Sequence, residues 1–462
     1  MNATTTNQDQ KHPAEIELEN TQKQINKKTC STPPPNEGFN PHQTFYDSAN
    51  GKYITDVGTH YRTYGRKNVI TKGISRYCEH HGINDDIQAL VESVELDRAI
   101  DWQGSIAGFK RGLTEQHGKT FLITDEPHMI EPSQGSFPRL TSILEQAFPE
   151  DDERSVFLSW LRDGVRAIRS HHHHPAPMLV MAGERNAGKS LIAFIVQTCL
   201  GGRASNPMKT WSGKTIWNDD LLGSELLLID DSEASTDIRA RKSLGANFKE
   251  SIYGGNIKIQ TRNKSAMDMR PVWRVLICCN ETPENLSVIP PLEEGIEDKI
   301  ILLRVKKIKT PMPAQSVTEK KEFAQALRCE LPAFLADLDT IETPDHLQDD
   351  RDGVTAWKDS HLLKAIKDIS PENKLEELIS LALEKGFMSI DKGESCYMSS
   401  AEIQDKLLDR SAPTYEQAKG LLQWHGNCGT YLGRIHKQGS GVITDRRVLH
   451  GTNQFKITRA QN

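Results

Sequence analysis

Gly183-Glu184-Arg185-Asn186-Ala187-Gly188-Lys189-Ser190 follows the apolar run Met178-Leu179-Val180-Met181 and precedes Leu191-Ile192-Ala193-Phe194-Ile195-Val196. The first flank has the unbroken hydrophobicity of a strand buried on both faces, and the second reads as a helix. Between them stands G-x-x-x-x-G-K-S in the strand–loop–helix context that this pattern requires. Its glycines let backbone N–H groups wrap phosphate oxygens at the positive end of a helix dipole. On this reading the loop residues Gly183 to Ser190 hold a nucleotide. Lys189 reaches the β- and γ-phosphates of ATP, and the Ser190 hydroxyl ligates Mg²⁺. A chance glycine-rich turn would not carry both flanks.

Outward from the loop, Leu226-Leu227-Leu228-Ile229 is a second apolar strand, ending in Asp230-Asp231 with Glu233 close by. A carboxylate at such a strand tip holds Mg²⁺ through water, which falls to Asp230, and its neighbour Asp231 can orient an attacking water. A third strand, Trp273 to Cys279, ends in Asn280. That amide can hydrogen-bond a γ-phosphate and the lytic water; the plainer alternative is a turn cap before Glu281-Thr282-Pro283. Between these two strands, Ser235 to Arg270 carries Arg239, Arg241, Lys242, Lys249, Lys258, Arg262, Lys264 and Arg270 against Asp237, Glu250 and Asp268. Within it Gly254-Gly255 leads into an alternating strand, Ile257 to Arg262, and a turn at Asn263-Lys264. A basic hairpin there can hold a nucleic-acid backbone through Lys258, Arg262 and Lys264, whereas the bland alternative is a solvated face.

Together these segments resemble the superfamily-3 helicases of viruses, phages and plasmids. Gly183 to Ser190, Leu226 to Asp231, Lys249 to Lys264 and Val275 to Asn280 stand in that family's order and spacing. The resemblance sharpens toward the helicase domain of phage-type primase-helicases, a group that includes the helicase part of a deep-sea vent phage primase-polymerase. It sharpens through Phe121-Leu-Ile-Thr-Asp-Glu-Pro with Ile130-Glu-Pro; Trp217-Asn218-Asp219-Asp220-Leu221; Ala234 to Arg239; Pro283-Glu-Asn-Leu286; and Glu297 to Arg304. It covers about residues 45 to 370 and extends more loosely to the C-terminal unit. The resemblance implies a homo-oligomeric, hexameric ring that hydrolyses ATP between subunits and translocates on single-stranded or forked DNA. Many relatives follow the sensor strand with Asp-Arg or Ser-Arg, which supplies an arginine finger; this chain has Asp298-Lys299. Lysine lacks the bidentate fork of arginine, so Lys299 and Arg304 both remain candidates for the trans-acting residue. No Asp-x-Asp strand marks a primase, and a primase or polymerase partner is expected to be a separate chain.

Composition bounds the rest. The 462 residues make about three domains' worth of chain, and 36% hydrophobic with 26% charged is ordinary for a globular protein. Lys plus Arg at 57 against Asp plus Glu at 63 gives −6, so any nucleic-acid site is a local patch. No stretch reaches the ~18 apolar residues of a membrane span, and MNATTTNQDQKH is not a secretory signal. The eight cysteines form no C-x-x-C pair. A soluble, cytoplasmic, multidomain chain is expected.

Residues 1–42 read as a disordered tail, 43–150 as a small α/β domain, 151–340 as the P-loop ATPase, 341–373 as a linker and helix, and 374–462 as a winged-helix-like unit. In the small domain Lys52 to Val57 and His60 to Tyr64 read as strands, Ile74 to His81 as a helix and Thr120 to Thr124 as a strand. Glu322 to Asp337 reads as a helix. The C-terminal unit reads as helices Leu375–Lys385, Ser400–Leu408 and Tyr415–Leu422, followed by two alternating strands. From Ala401 onward, nine Lys/Arg face five Asp/Glu. His171 to His174 has no cysteine or carboxylate at ligand spacing and reads as a solvated loop rather than a metal site. The expected class is thus α/β, an AAA+-like superfamily-3 core. The expected function is an ATP-dependent DNA helicase of phage, plasmid or prophage replication. The alternative is a non-unwinding ATPase initiator or regulator that remodels DNA at an origin. A degenerate ATPase kept for tethering, or a small-molecule kinase, accounts for fewer of these residues.

Overall fold

The apolar runs around the glycine-rich loop become neighbours in one parallel sheet. The computed structural model describes residues 38–230, 238–260, 267–292, 295–368, 370–422 and 426–459. They divide into two compact units: one holds the described residues up to 128 with 217–225 and 258–272, the other 129–216, 226–257 and everything from 273.

In the first unit β1 (Thr44–Asp47), β2 (Lys52–Asp56), β3 (Tyr61–Tyr64) and β4 (Ala99–Ile100) form a sheet in the order β3-β2-β1-β4. The strands β5 (Trp102–Gly104), β6 (Gly112–Gln116) and β7 (Lys119–Ile123) form another, in the order β5-β7-β6. Helix Lys67–His81 begins seven residues before the sequence reading placed it, because Ile70, Ile74 and Cys78 share one buried face. Helix Ile87–Asp97, capped by the Asp86 side chain, was not read at all. The buried segment Ile106–Ala107 ties the unit's distant parts together through the main chain. Ala107 N donates to Leu222 O at 2.6 Å and Val272 N to Ala107 O at 3.0 Å, while Gly108 N donates to the buried Glu225 carboxylate at 2.9 Å.

In the second unit lie β8 (Met178–Gly183), β9 (Ala204–Ser205) and β10 (Leu226–Ile229). The strands β11 (Ile257–Ile259) and β12 (Met267–Met269) pair separately, in the stretch of chain that precedes β13 (Arg274–Asn280) and β14 (Ile300–Arg304). The five-stranded order is β14-β8-β13-β10-β9, with every pair parallel. All six residues of β8 and the first six of β13 are buried, which explains why these strands are apolar without alternation, the buried Arg274 at the start of β13 excepted. Helices Asp151–Arg169 and Val317–Leu338 belong to this unit; Ser316 and Glu319 form a capping box that carries the second helix well ahead of Glu322.

Toward the C-terminus, helix Pro371–Glu384, β15 (Ser395–Ser399), helices Ser400–Leu407, Tyr415–Leu421 and Asn427–Gln438, β16 (Ile443–Leu449) and β17 (Thr452–Thr458) follow. The last sheet runs β15-β17-β16. Its core joins Leu375, Ile379, Ile403, Leu432, Phe455 and Ile457. His173 and His174 are half-buried: His173 Nε2 lies 3.0 Å from Ile252 O, and the main-chain oxygen of His174 accepts from the Arg274 side chain at 2.9 Å. No helix among the described residues is long and apolar enough to cross a membrane.

Candidate nucleotide site

Because all five strands run parallel, their carboxyl ends gather at one edge, where ligands of open α/β sheets bind. Gly183 closes β8 there, and Asn280, last of β13, is its register partner. The loop 183–188 leaves this edge and turns into helix Lys189–Cys199. Asn186 at φ 61° and Gly188 at φ 108° take left-handed conformations, and Gly188 precedes the helix without a side-chain cap. The first turn therefore offers its N–H groups to an anion rather than to a side chain.

Close packing also dictates the glycines. A Cβ on Gly183 would stand 2.4 Å from the Val305 carbonyl oxygen, and one on Gly188 2.6 Å from Ile308 Cδ1. The chain after β14 thus lies directly against the loop, and Ile308 N donates to Ala187 O at 3.0 Å. Ala187 is buried, while Glu184, Arg185, Asn186 and Ser190 are exposed.

Lys189 is only 7% exposed, an unusual burial for a lysine. Its ammonium donates to Gly183 O at 3.0 Å, Glu184 O at 2.9 Å and Asn280 Oδ1 at 3.0 Å. The loop cation and the strand-tip amide, 91 residues apart in sequence, are therefore in direct contact. Asp230 follows β10, one strand beyond β13, and is exposed. The residues present suit a Mg²⁺–nucleotide: an uncapped helix start, a cation held at the sheet edge, a hydroxyl at Ser190 and a carboxylate at Asp230. Asp231 lies outside the described residues.

The two finger candidates fall at opposite ends of β14. Arg304, at the carboxyl end, makes a forked pair with Glu281, Nε to Oε2 at 2.7 Å and Nη2 to Oε1 at 3.1 Å. Since β8 lies between β14 and β13, this pair bridges the strand that starts the loop, and Glu281 N itself donates to Gly183 O at 3.3 Å. The Arg304 hydrogen bonds hold the Glu281 carboxyl below its ordinary value, and Glu281 in turn raises that of Arg304. Lys299, just before β14, is buried and donates to both oxygens of Asp298 at 2.8 and 2.7 Å. Its ammonium stands 5.3 Å from the Tyr253 ring, and the Arg351 guanidinium stands 5.1 Å from the same ring. Tyr253 donates to Asp352 at 3.1 Å, so the end of helix Ile238–Tyr253 is pinned just before Gly254-Gly255.

Of the basic hairpin, Lys258 is exposed on β11, whereas Arg262 and Lys264 lie outside the described residues. Asn218 anchors this strand on both sides of Ile259. Its Nδ2 donates to Lys258 O at 3.0 Å, and its Oδ1 accepts from Gln260 N at 2.8 Å. Sequence reasoning assigned no role to Asn218 or Glu281. The partner of Glu281 is 23 residues away and that of Asn218 about forty, distances at which no spacing rule operates.

No family model matches the chain, and no curated protein matches it in sequence. Among solved structures, the A-form apo structure of the NrS-1 C-terminal region matches with a TM-score of 0.50 and 14% identity, over 90% of this chain and 96% of that one. A second apo structure of that region gives 0.50 and 12%, with the same coverage. The SCCmec type IV Cch active helicase matches at a TM-score of 0.28 and 12% identity, over 86% of this chain and 73% of that one, too low to carry an argument. At these identities the likeness is one of fold: a mixed α/β architecture with a parallel sheet, shared with the NrS-1 C-terminal region.

Proposed function

We propose that this chain is an ATP-hydrolysing DNA helicase of the superfamily-3, primase-helicase type, with a winged-helix-like C-terminal unit. In this reading Gly183 to Ser190 bind ATP, Ser190 and Asp230 hold Mg²⁺, and Asp231 and Asn280 address the attacking water. Lys258, Arg262 and Lys264 grip single-stranded DNA, and subunits assemble into a hexameric ring. The observation that carries the reading is the Lys189 ammonium on Asn280 at the carboxyl edge of the sheet. This contact supports the reading, because a γ-phosphate would need both a cation and an amide at one point. The fold likeness to the NrS-1 C-terminal region supports the architecture.

ATP turnover of the full chain, measured with and without single-stranded DNA, tests the proposal. Turnover should rise with DNA and vanish in Lys189→Ala. Turnover that is absent in the wild type, or that survives in Lys189→Ala, would refute it. Strand displacement on forked DNA then separates a translocating helicase from an initiator that only remodels DNA.

A further inference from the structure

Three adjacent strands, β14, β8 and β13, bring Arg304, Gly183 and Asn280 to the candidate nucleotide edge. The other ends of the same strands meet in a cluster of buried charge. Arg274 opens β13 and is 2% exposed; its Nη1 donates to His174 O at 2.9 Å, four residues before β8. Asp298 stands two residues before β14 and accepts from Arg351 at 3.0 Å. Arg351 also donates to Oδ2 of Asp352 at 3.0 and 2.6 Å. Asp352 is 2% exposed, and the same oxygen accepts from the Tyr253 hydroxyl at 3.1 Å. Tyr253 ends helix Ile238–Tyr253, and Gly254-Gly255 and then β11 follow it in the chain.

This cluster holds more hydrogen-bonding capacity than it uses. Arg274 Nε and Nη2, Asp352 Oδ1 and Asp163 Oδ2 are buried and have no protein partner among the described residues. Two glycines show how closely these groups pack. A Cβ on Gly164 would stand 3.2 Å from Arg274 Nε, and one on Gly353 2.6 Å from Asp163 Oδ2. Asp163-Gly164 therefore packs against Arg274 on one side and against Asp352-Gly353 on the other. Both carboxylates act on the guanidinium, and burial pushes Arg274 down to about 10. A second pairing is thus open to the cluster, with the Asp352 carboxylate turned onto Arg274 as a fork. That fork needs both carboxylate oxygens, and Oδ2 already carries three donors, so forming it releases Tyr253.

We propose that Asp352 is a positioning residue with two partners, Tyr253 and Arg274, and that its choice between them couples the DNA-gripping hairpin to the nucleotide site. With Tyr253 held, the helix end that leads into β11 is fixed. With Arg274 taken, that helix end is free and β13 is anchored instead, ~20 Å along the strand from Asn280. Coupling between distant sites needs such an element with two discrete arrangements. The inference rests on the proposed ATPase and single-strand grip, and it names the residue through which one regulates the other.

The test is oligothymidine affinity of the full chain by fluorescence anisotropy, with and without Mg²⁺ and AMP-PNP, a slowly hydrolysed ATP analogue. The ratio of the two dissociation constants measures the coupling. Tyr253→Phe keeps the ring and removes one partner; Arg274→Met removes the other and leaves an apolar side chain in its place. Each should bring the ratio to within about twofold of one, while AMP-PNP affinity without DNA stays within about twofold of wild type. Without nucleotide, Tyr253→Phe should weaken oligothymidine binding about fivefold, the worth of one hydrogen bond, and Arg274→Met should not. Asp352→Asn accepts from Tyr253 but forms no ion pair with Arg274, so it should behave as Arg274→Met and replaces that variant if it does not fold. A wild-type ratio kept by Tyr253→Phe and Asp352→Asn would overturn the proposal. So would an equal loss of AMP-PNP affinity without DNA, or a ratio of one in the wild type. In that last case ATP turnover would still uphold the nucleotide site, whereas a wild type without turnover removes the reading on which this one rests.

Discussion

The Lys189 ammonium has three oxygen partners within the chain, so in the proposed function phosphate binding would exchange contacts rather than create them from a hydrated lysine. Lys189→Ala would therefore remove the proposed phosphate cation and also leave two carbonyls and an amide oxygen without this donor. A drop in turnover of at least about 10²–10³, to the background of a phosphate-release assay, is expected for the lost electrostatic stabilisation. The Glu281–Arg304 pair makes a second prediction at this scale. Its side chains are 17% and 25% exposed, so screening is partial. Glu281→Gln should cost about 1–2 kcal/mol and raise KM for ATP more than it lowers kcat, since it loosens the start of the loop. The folded-state pKa of Glu281 is lowered, so the pair's contribution is complete above the unfolded value of 4.5 and is lost as pH falls through the lowered one. Thermal melts of wild type and Glu281→Gln should differ at neutral pH and converge under strong acid. A constant difference across that range would show that the charge is not what stabilises the pair.

Elements were legible where a single local rule sufficed. The apolar runs of β8, β10 and Val275–Cys279 in β13 required burial, and the loop glycines required a turn, so the strands and the helix at Lys189 follow from local sequence. Helix Asn427–Gln438 was not legible because Gly429 and Gly433 lower its propensity, while its stability comes from burying Tyr431, Leu432 and Ile435 against distant residues. The lone Asn280 was read as a sensor or a turn cap, and the structure shows its Oδ1 accepting from Lys189, a contact that no local rule could predict. The anchor on β11 is likewise visible only in three dimensions. Asn218→Ala removes two hydrogen bonds from that strand, at ~1 kcal/mol each. Single-strand affinity should fall several-fold while basal ATPase stays within about twofold of wild type. Filter binding and phosphate release measure the two, and a loss of ATPase equal to the loss of DNA affinity would mean that Asn218 supports more than the hairpin.

For the whole molecule, the proposed ring predicts that a neighbouring subunit lies against the candidate nucleotide site. A ring whose sites lie at heterologous interfaces predicts oligomers promoted by a slowly hydrolysed ATP analogue and DNA, detectable by light scattering. Such a ring also allows complementation. If Arg304 acted in trans, mixing Lys189→Ala with Arg304→Ala would rebuild complete sites wherever an intact loop met an intact arginine. Random mixing in equal amounts would make that about a quarter of all interfaces. If Arg304 acts in its own subunit, no mixed interface is complete, because each subunit carries one lesion in its own site. The forked contact with Glu281, made across the strand that starts the loop, argues for the second case. An arginine held at its own site must break an ion pair before it can reach a neighbour's phosphate. Mixtures are therefore expected to show no more turnover than either variant alone, and recovery toward a quarter of the wild-type rate would assign Arg304 to the adjacent subunit's site.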